Sequence, residues 1–407
     1  MKEITERILH FNQANDPGLR KLKYRCMTQN AFRFFRATCH IFYEDLSTAA
    51  LLPESPVTWL SGDLHLENFG SYKGENSLVY FDMNDFDEAV LSPVLLDIVR
   101  IVTSIYLAFD SYEITDEETE KAIAIFLKYF SETLSEGSAR YIEPQTATGI
   151  VKKFLTIVSD RKQKELLKEK TVGKGKKIRL YKGDKKQLKV NALLKTELIA
   201  NFNLWMKSNP TPPNNYEVVD VSFRIAGTGS IGVNRFLFLI RKENDPGKYR
   251  FIDMKQALPS SLMPYIHTPQ PQWKSEAERV VSVQKRMQNI PPAQLSVNYF
   301  NGESFIMQEM QPSKDRINFE LIDHNFSKIC CVIQDMGVIT ASSYLSSSGR
   351  QGSAIADDLI AFGQNKEWYG SIIEYSKNYL LKVKQDYEDF KTDFENGLLE
   401  NENKLKK

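Results

Sequence analysis

Within 25 positions the chain places six groups suited to handling a proton or a metal ion. Asp63, His65 and Asn68 stand in SGDLHLENFG (61–70), and Asp82, Asp85 and Asp87 stand in FDMNDFDEAV (81–90). All but the histidine offer hard oxygen, the donor type that Mg2+ and Ca2+ take. A carboxylate beside such an ion can also accept the proton of an attacking hydroxyl. Asp63 and Asn68, as D-x-x-x-x-N, supply one proton acceptor and one amide oxygen on the same loop, and Asp85 follows Asn68 by 17 positions. The bland alternative is a Ca2+-like surface loop or an acidic turn without chemistry. Asp82 and Asp87 read as strand-end groups, with Asp87 able to share a metal. His65 reads as a histidine that hydrogen-bonds its own loop.

A second set lies far downstream. AGTGSIG (226–232) holds Gly227, Gly229 and Gly232 as G-x-G-x-x-G, with Thr228 and Ser230 between them. That triplet is a weak signal alone. A dinucleotide fingerprint must run from strand into helix, so that the helix N-terminus meets pyrophosphate. Here the glycines fall between VVDVSFRI and VNRFLFLI, both of which read as strands. The loop therefore reads as a hairpin turn. The next strand, YRFIDMKQA, carries Lys255, which faces either inward or solvent. The helical stretch WKSEAERVVSVQKRMQ (273–288) carries Glu276 and Glu278, and Glu278 adjoins the apolar face Val280, Val281 and Val283. SFIMQEM (304–310) reads as a strand ending at Glu309 and Met310.

The positioning elements follow from periodicity and turn chemistry. Residues 20–50 show helical spacing of Phe32, Phe35, Ile41 and Phe42, as one helix or two. VTWL (57–60) and LVYFDM (78–83) read as strands and SYKGENS as a turn, so the two acidic loops leave neighbouring strands at one end. Residues 94–109 and 115–136 read as helices. The basic stretch at 150–200 reads as a solvated insertion, with a phosphate- or nucleic-acid-binding patch as the alternative. NPTPPNNYE (209–217) is a Pro/Asn linker. Strands dominate from there to about 310, and helices from about 319 onward. These changes divide the chain into a mostly helical unit (1–212) with the acidic loops, a β-rich unit (213–312) and a helical segment (313–407) that packs on the first.

Composition narrows the function classes. The chain has 407 residues, 42% of them apolar, and a net charge of +1. Such a balance gives no global field toward nucleic acid or an anionic membrane. Cys26, Cys39, Cys330 and Cys331 form no C-x-x-C pair, which argues against zinc ribbons and thiol redox chemistry. VLLDIVRIVTSIYLAF (94–109) carries Asp97 and Arg100, so it reads as a buried helix and not a membrane span. MKEITERILHFNQAN has no apolar signal core. The expectation is a cytoplasmic protein with neither membrane nor nucleic-acid partner.

SGDLHLENFG is similar to the HGDxHxxN loop of the aminoglycoside and choline phosphotransferases, a branch of the protein-kinase-like superfamily. Kinases use the same D-x-x-x-x-N spacing. That branch continues with DFxxA and, 12 positions after its metal Asp, a buried Asp that opens a helix. Here Asp85 stands in DFDEA and Asp97 follows it by 12. The resemblance implies an α+β, protein-kinase-like two-lobed fold. It assigns Asp63 as proton acceptor, sets His65 near the loop backbone and substrate, and gives Mg2+ to Asn68 and Asp85 with Asp87. The backbone of Gly227, Thr228, Gly229, Ser230 and Gly232 would cover the phosphates of ATP or another nucleoside triphosphate. Lys255 would pair with those phosphates, Glu278 or Glu276 with Lys255, and backbone at Glu309 and Met310 with adenine.

A kinase-like chain ordinarily places its glycine loop first. Here the acidic loops come first and the glycine loop later, so a circular permutation is expected, which is tolerable where termini lie close and exposed. Over most of residues 20–350 the chain also resembles an uncharacterised bacterial family, domain of unknown function 2252. YRCMTQNAFRFFRAT (24–38), FDMNDFDEAVLSPVLLDIVRIVTS, RIAGTGSIGVNRFLFLI and FIMQEMQPSK carry that likeness. Ser61 before GD and SPVLLDI are departures from its pattern, and they bear on substrate more than on chemistry. Arg36, within the first stretch, reads as an ion pair or as a phosphate or substrate contact. The leading expectation is an ATP- and Mg2+-dependent phosphotransferase acting on a small molecule. The rivals are a nucleotide-binding regulator without transfer and a nucleotidyl transferase on the same scaffold.

Overall fold

The computed structural model describes residues 1–49, 52–161, 163–173, 175–182, 186–209, 213, 215–310, 317 and 325–399. It is an α+β protein. Four helices come first: α1 (Glu3–Phe11), α2 (Pro17–Met27), α3 (Ala31–Ala37) and α4 (Cys39–Thr48). Asp16 caps α2, with Pro17 at its first position, and Asn30 caps α3. Both caps satisfy N–H groups that a helix start leaves open. The break between α2 and α3, and a second one at Thr38, turn the helical stretch read at 20–50 into three helices.

Four short strands follow, β1 (Val57–Leu60), β2 (Phe69–Lys73), β3 (Val79–Met83) and β4 (Val90–Pro93). β1 pairs with β4 and β2 with β3, both antiparallel. The acidic loops thus leave two small ladders. The turn expected at SYKGENS is confined to its second half, because Ser71, Tyr72 and Lys73 already belong to β2. Next come α5 (Leu95–Ser111), α6 (Asp116–Glu136), α7 (Gly149–Asp160) and α8 (Gln163–Lys170). α5 is buried over nearly its whole length.

After the small pair β5 (Thr171–Val172) and β6 (Arg179–Leu180) come β7 (Gln187–Leu188), α9 (Ala192–Ser208), β8 (Tyr216–Arg224), β9 (Arg235–Lys242) and β10 (Asp245–Gln256). Then follow α10 (Glu276–Met287), β11 (Ser296–Phe300) and β12 (Glu303–Glu309). One antiparallel sheet takes the order β11-β12-β10-β9-β8-β7. Side chains alternate across it, as a strand requires. Phe236, Phe238, Ile240, Ile252 and Met254 face one side and pack on Leu198, Phe202 and Trp205 of α9. On the other side Leu237, Leu239 and Phe251 meet Ile178 and Leu180. Leu166, Leu167, Ile178 and Leu180 of the basic stretch therefore cover a face of the sheet. Within the linker read at 209–217, residues 210–212 and 214 lie outside the described residues.

The chain ends with α11 (Phe326–Ser347), α12 (Ala356–Gln364) and α13 (Trp368–Glu395). α11 packs on α6 and α10 and touches β1 and β3, and α13 packs on α5. Among the described residues α11 is the one helix long and apolar enough to cross a bilayer, and 78% of its apolar window is buried inside the protein. It is a core helix here.

Candidate active site

The loop after β1 is built before its chemistry is. Gly62 adopts φ +82, and a Cβ there would fall 2.1 Å from the Glu88 carbonyl oxygen, so only glycine fits. Asp97, at the start of α5, accepts from the N–H of Ser61 at 2.9 Å, the N–H of Gly62 at 3.1 Å and the Tyr344 hydroxyl at 3.1 Å. Burial nonetheless pushes the Asp97 carboxyl up to about 6, against the pull of those donors. The Tyr43 hydroxyl donates to the Gly62 carbonyl at 2.7 Å. The loop backbone is thus gripped from α4, α5 and α11.

Asp63 next to this anchor meets a partner that the motifs did not foretell. Arg100 Nε donates to Asp63 Oδ1 at 2.7 Å, and Nη2 donates to the same oxygen. Arg100 has no exposed side-chain surface, whereas Asp63 keeps 20%. The guanidinium stacks on Phe35 (4.2 Å), Phe42 (4.9 Å) and Tyr43 (5.9 Å). Burial raises the Asp63 carboxyl above the ordinary range, and Arg100 opposes that rise. Oδ2 lies 3.9 Å from His65 Nε2. His65 Nδ1 accepts from the Glu67 N–H at 3.2 Å, and Arg36 Nε approaches Nε2 at 3.3 Å. A neutral imidazole accepts at one nitrogen only. Here both ring nitrogens face an N–H donor. Arg36 also pairs with Glu67.

Asn68 donates its amide Nδ2 to the Asp63 carbonyl. Its own carbonyl oxygen accepts from the Asn84 N–H at 2.8 Å, which extends the β2–β3 ladder by a step. That bond sets Asp85 one residue from the partner of Asn68, so the two acidic loops do meet. Asp87 is ion-paired with Lys255, and Asp85 Oδ1 lies 3.7 Å from the same Nζ. Burial raises Asp87, again opposed by the lysine. Asp82 is held apart, at the strand end, where burial pushes it up to about 7.

Lys255 faces inward. On the same face of the sheet stand Arg224, Arg235 and Asp253. Arg235 Nε donates to Asp253 at 2.8 Å and Arg224 Nη1 at 2.9 Å. The two guanidiniums hold the Asp253 carboxyl down at about 2, in spite of its burial. Here the expected lysine partner is corrected. Neither Glu278 nor Glu276 reaches Lys255. Ser275 caps α10, and the Glu278 carboxylate folds back to accept from the Lys274 N–H at 2.6 Å, in the manner of a capping box. Glu276 pairs with Arg279 at 2.6 Å. α10 reaches the acidic loop through Arg279 instead, which donates to the carbonyls of Ala89 (2.6 Å), Asp87 (2.8 Å) and Leu258 (3.0 Å).

A cleft of about 410 Å3 opens between the sheet and the helices. Its walls include Asp85, Asp87 and Lys255, and Gly227, Thr228 and Ser230 from the loop between β8 and β9. Glu67 lines it, but Asp63 and Asn68 do not themselves form part of the wall. Gly229 lies against the α3 backbone, where a Cβ would stand 3.2 Å from the Arg36 carbonyl oxygen, and Gly232 (φ +110) lies against Asn15. The expected hinge contact is also corrected. The Glu309 N–H donates to the Ala293 carbonyl and the Met310 N–H to that of Phe251, both at 2.8 Å, and the Met310 side chain is buried. From this strand Ile306 and Gln308 line the cleft instead.

The family model described as "Uncharacterized protein conserved in bacteria (DUF2252)" matches residues 15–393. The chain belongs to this family. No curated protein and no solved structure matches it. The DUF2252 match spans both acidic loops, the glycine loop and Lys255. Arg100, Arg235, Asp253 and Arg279 are the site residues that the motif reading missed. Arg100 was marked only by being a charge inside an apolar helix, and such a charge is rarely buried unpaired. Asp253 was marked by sharing the strand parity of Lys255, whereas Arg235 joins that face only through the register of β9 with β10.

Proposed function

We propose that this DUF2252 chain is a phosphotransferase that uses a nucleoside triphosphate with Mg2+ and is kinase-like in arrangement. One observation carries the reading. Lys255, from β10, the strand after the glycine hairpin, sits between Asp85 and Asp87 of a loop in the helical part, beside a glycine loop that joins the two preceding strands. In the kinase arrangement a glycine-rich hairpin, a lysine on the third strand and a metal-binding aspartate converge on a triphosphate. Sheet order supports the reading, since the glycine hairpin, the lysine strand, a helix and two more strands follow in sequence. α11, after β12, then packs against β1 and β3, which suits a permuted chain.

The donor set fits Mg2+. Asn68 spends its amide N–H on the Asp63 carbonyl, which leaves the amide oxygen as the end for a cation. Asp85 and Asp87 add carboxylates. Mg2+ usually takes one or two carboxylates and completes its shell with phosphate and water. Among the described residues no group of three or more His, Cys, Asp or Glu is arranged to hold a metal alone. When bound, the cation would neutralise charge on the transferred group. The chain's own residues do the rest. Asp63 Oδ2 accepts the proton of the acceptor hydroxyl, Arg100 fixes the other oxygen, and Asp97 keeps the loop backbone in place. Lys255 exchanges Asp87 for phosphate oxygen, and the glycine-loop N–H groups supply further donors. Catalysis of this kind is mainly positioning and charge stabilisation.

Thermal melting with ATP, GTP and non-hydrolysable analogues, with and without Mg2+, tests the proposal on wild type and Asp85→Ala. A ligand of the folded state raises Tm. The expected result is a Mg2+-dependent rise that Asp85→Ala loses, together with Mg2+-dependent turnover that it abolishes. Turnover retained in Asp85→Ala would remove Asp85 from the site. A rise without transfer to any acceptor would assign a binding or regulatory role instead.

A further inference from the structure

The cleft is strongly cationic, and its cations differ in how they are balanced. Seven cationic side chains line it against three carboxylates. Arg224 and Arg235 are matched by Asp253, Lys255 by Asp85 and Asp87, Arg36 by Glu67, Lys170 lies 3.2 Å from Glu169, and Lys186 also has a partner. Arg33 is different. It stands half-buried on the cleft wall and makes no ion pair among the described residues. A guanidinium held at a cleft wall without a counter-charge is an open site for an anion, since its planar fork matches carboxylate and phosphate.

Position says which ligand would meet it. Arg33 lies one helical turn before Arg36 on α3, and Arg36 reaches His65 at 3.3 Å, which in turn lies 3.9 Å from Asp63 Oδ2. Residues three apart share a helix face. Arg33 therefore belongs to the Asp63 side of the cleft, whereas Lys255 and Arg235 belong to the sheet side. A molecule that offers its hydroxyl to Asp63 and also reaches Arg33 would run past Arg36. We infer that the acceptor is a hydroxylated small molecule bearing an anionic group, phosphate or carboxylate, which Arg33 binds. This inference rests on the phosphotransferase reading and names its substrate class. The charge is opposite to that of aminoglycosides and choline, which the unbalanced guanidinium of Arg33 disfavours.

The test uses the full chain saturated with a non-hydrolysable ATP analogue and Mg2+, so that phosphate-bearing probes cannot enter the nucleotide site. Glucose 6-phosphate, gluconate, glucose and glucosamine are titrated calorimetrically. At least one anionic probe should bind ten times or more tighter than glucose, with glucosamine weakest. Arg33→Glu should erase that preference, and Arg33→Gln, neutral and similar in length, should reduce it should the charge reversal disturb folding. Both variants should keep the nucleotide-induced rise in Tm. Glucose or glucosamine binding as tightly as the anions, no preference at all, or a preference that survives both substitutions would overturn the inference. Absence of a nucleotide-induced Tm rise in wild type is a separate readout: it fails the phosphotransferase reading, and the acceptor inference falls with it.

Discussion

Arg100→Met strands the Asp63 carboxylate. Methionine keeps much of the apolar volume against Phe35, Phe42 and Tyr43 but removes both bonds to Oδ1. Breaking a buried pair from one side costs about 3–5 kcal/mol. Asp63 keeps 20% of its side-chain surface exposed, so water offsets part of the loss and the expected cost is about 3 kcal/mol. Folded domains hold roughly 5–15 kcal/mol, and the variant should still fold. The cost should also depend on pH. Burial already holds the Asp63 carboxyl above its ordinary value while Arg100 opposes it, so loss of Arg100 raises it further. An acid whose folded pKa exceeds its unfolded one contributes stability that is complete below the unfolded pKa and lost as pH rises through the folded pKa. The penalty should therefore be largest at pH 8 and shrink toward about pH 4, the ordinary carboxylate value. Denaturant unfolding followed by tryptophan fluorescence at pH 8, 6 and 5 measures it. Asp63→Asn added to Arg100→Met should recover part of the loss and flatten its pH dependence. A penalty under about 1 kcal/mol, the ordinary size of a point substitution, or one equal at pH 5 and pH 8, would refute the claim that this buried pair holds Asp63 ionised.

Two further outcomes separate the roles of neighbouring residues. Asp63→Asn should lower transfer by about 100- to 10,000-fold, the usual worth of a positioned base, while the nucleotide-induced Tm shift persists; undiminished turnover would exclude Asp63 as proton acceptor. Glu278→Ala should cost about 0.5–2 kcal/mol as a weakened helix start and leave nucleotide affinity unchanged, whereas a tenfold loss of affinity would return Glu278 to the lysine.

Much of the local structure was legible. The short apolar run FLFLI and the β-branched and aromatic content of YRFIDMKQ gave β9 and β10, and the apolar run around Asp97 gave α5. The strand Val90–Pro93 escaped because four residues, one of them proline, carry almost no periodic signal. It exists because β1 lies beside it. Ser71 to Lys73 escaped because polar residues at a strand end read like the turn that follows them.

The site divides in the same way. Residue type and spacing alone marked Asp63, Asn68, Asp85, the glycines and Lys255, since oxygen donors crowded on one loop and glycines in a hairpin are short-range facts. Asn68 could be tied to Asp63 within a single turn of chain. Pairing over long range was another matter. Glu278 looked like the partner of Lys255, yet its carboxylate takes the backbone N–H of Lys274, just before α10, at 2.6 Å, and the cap wins. Lys255 instead meets Asp87, a contact set by the sheet's register and by how α10, through Arg279, clamps the acidic loop. Arg100 finds Asp63 because one turn of α5 separates it from Asp97, which holds the same loop. The sequence by itself determined which groups were present and what each was able to do. The packing of helices on the sheet decided which charges face one another, because ion pairs form over a few ångströms in space, at whatever separation the chain imposes.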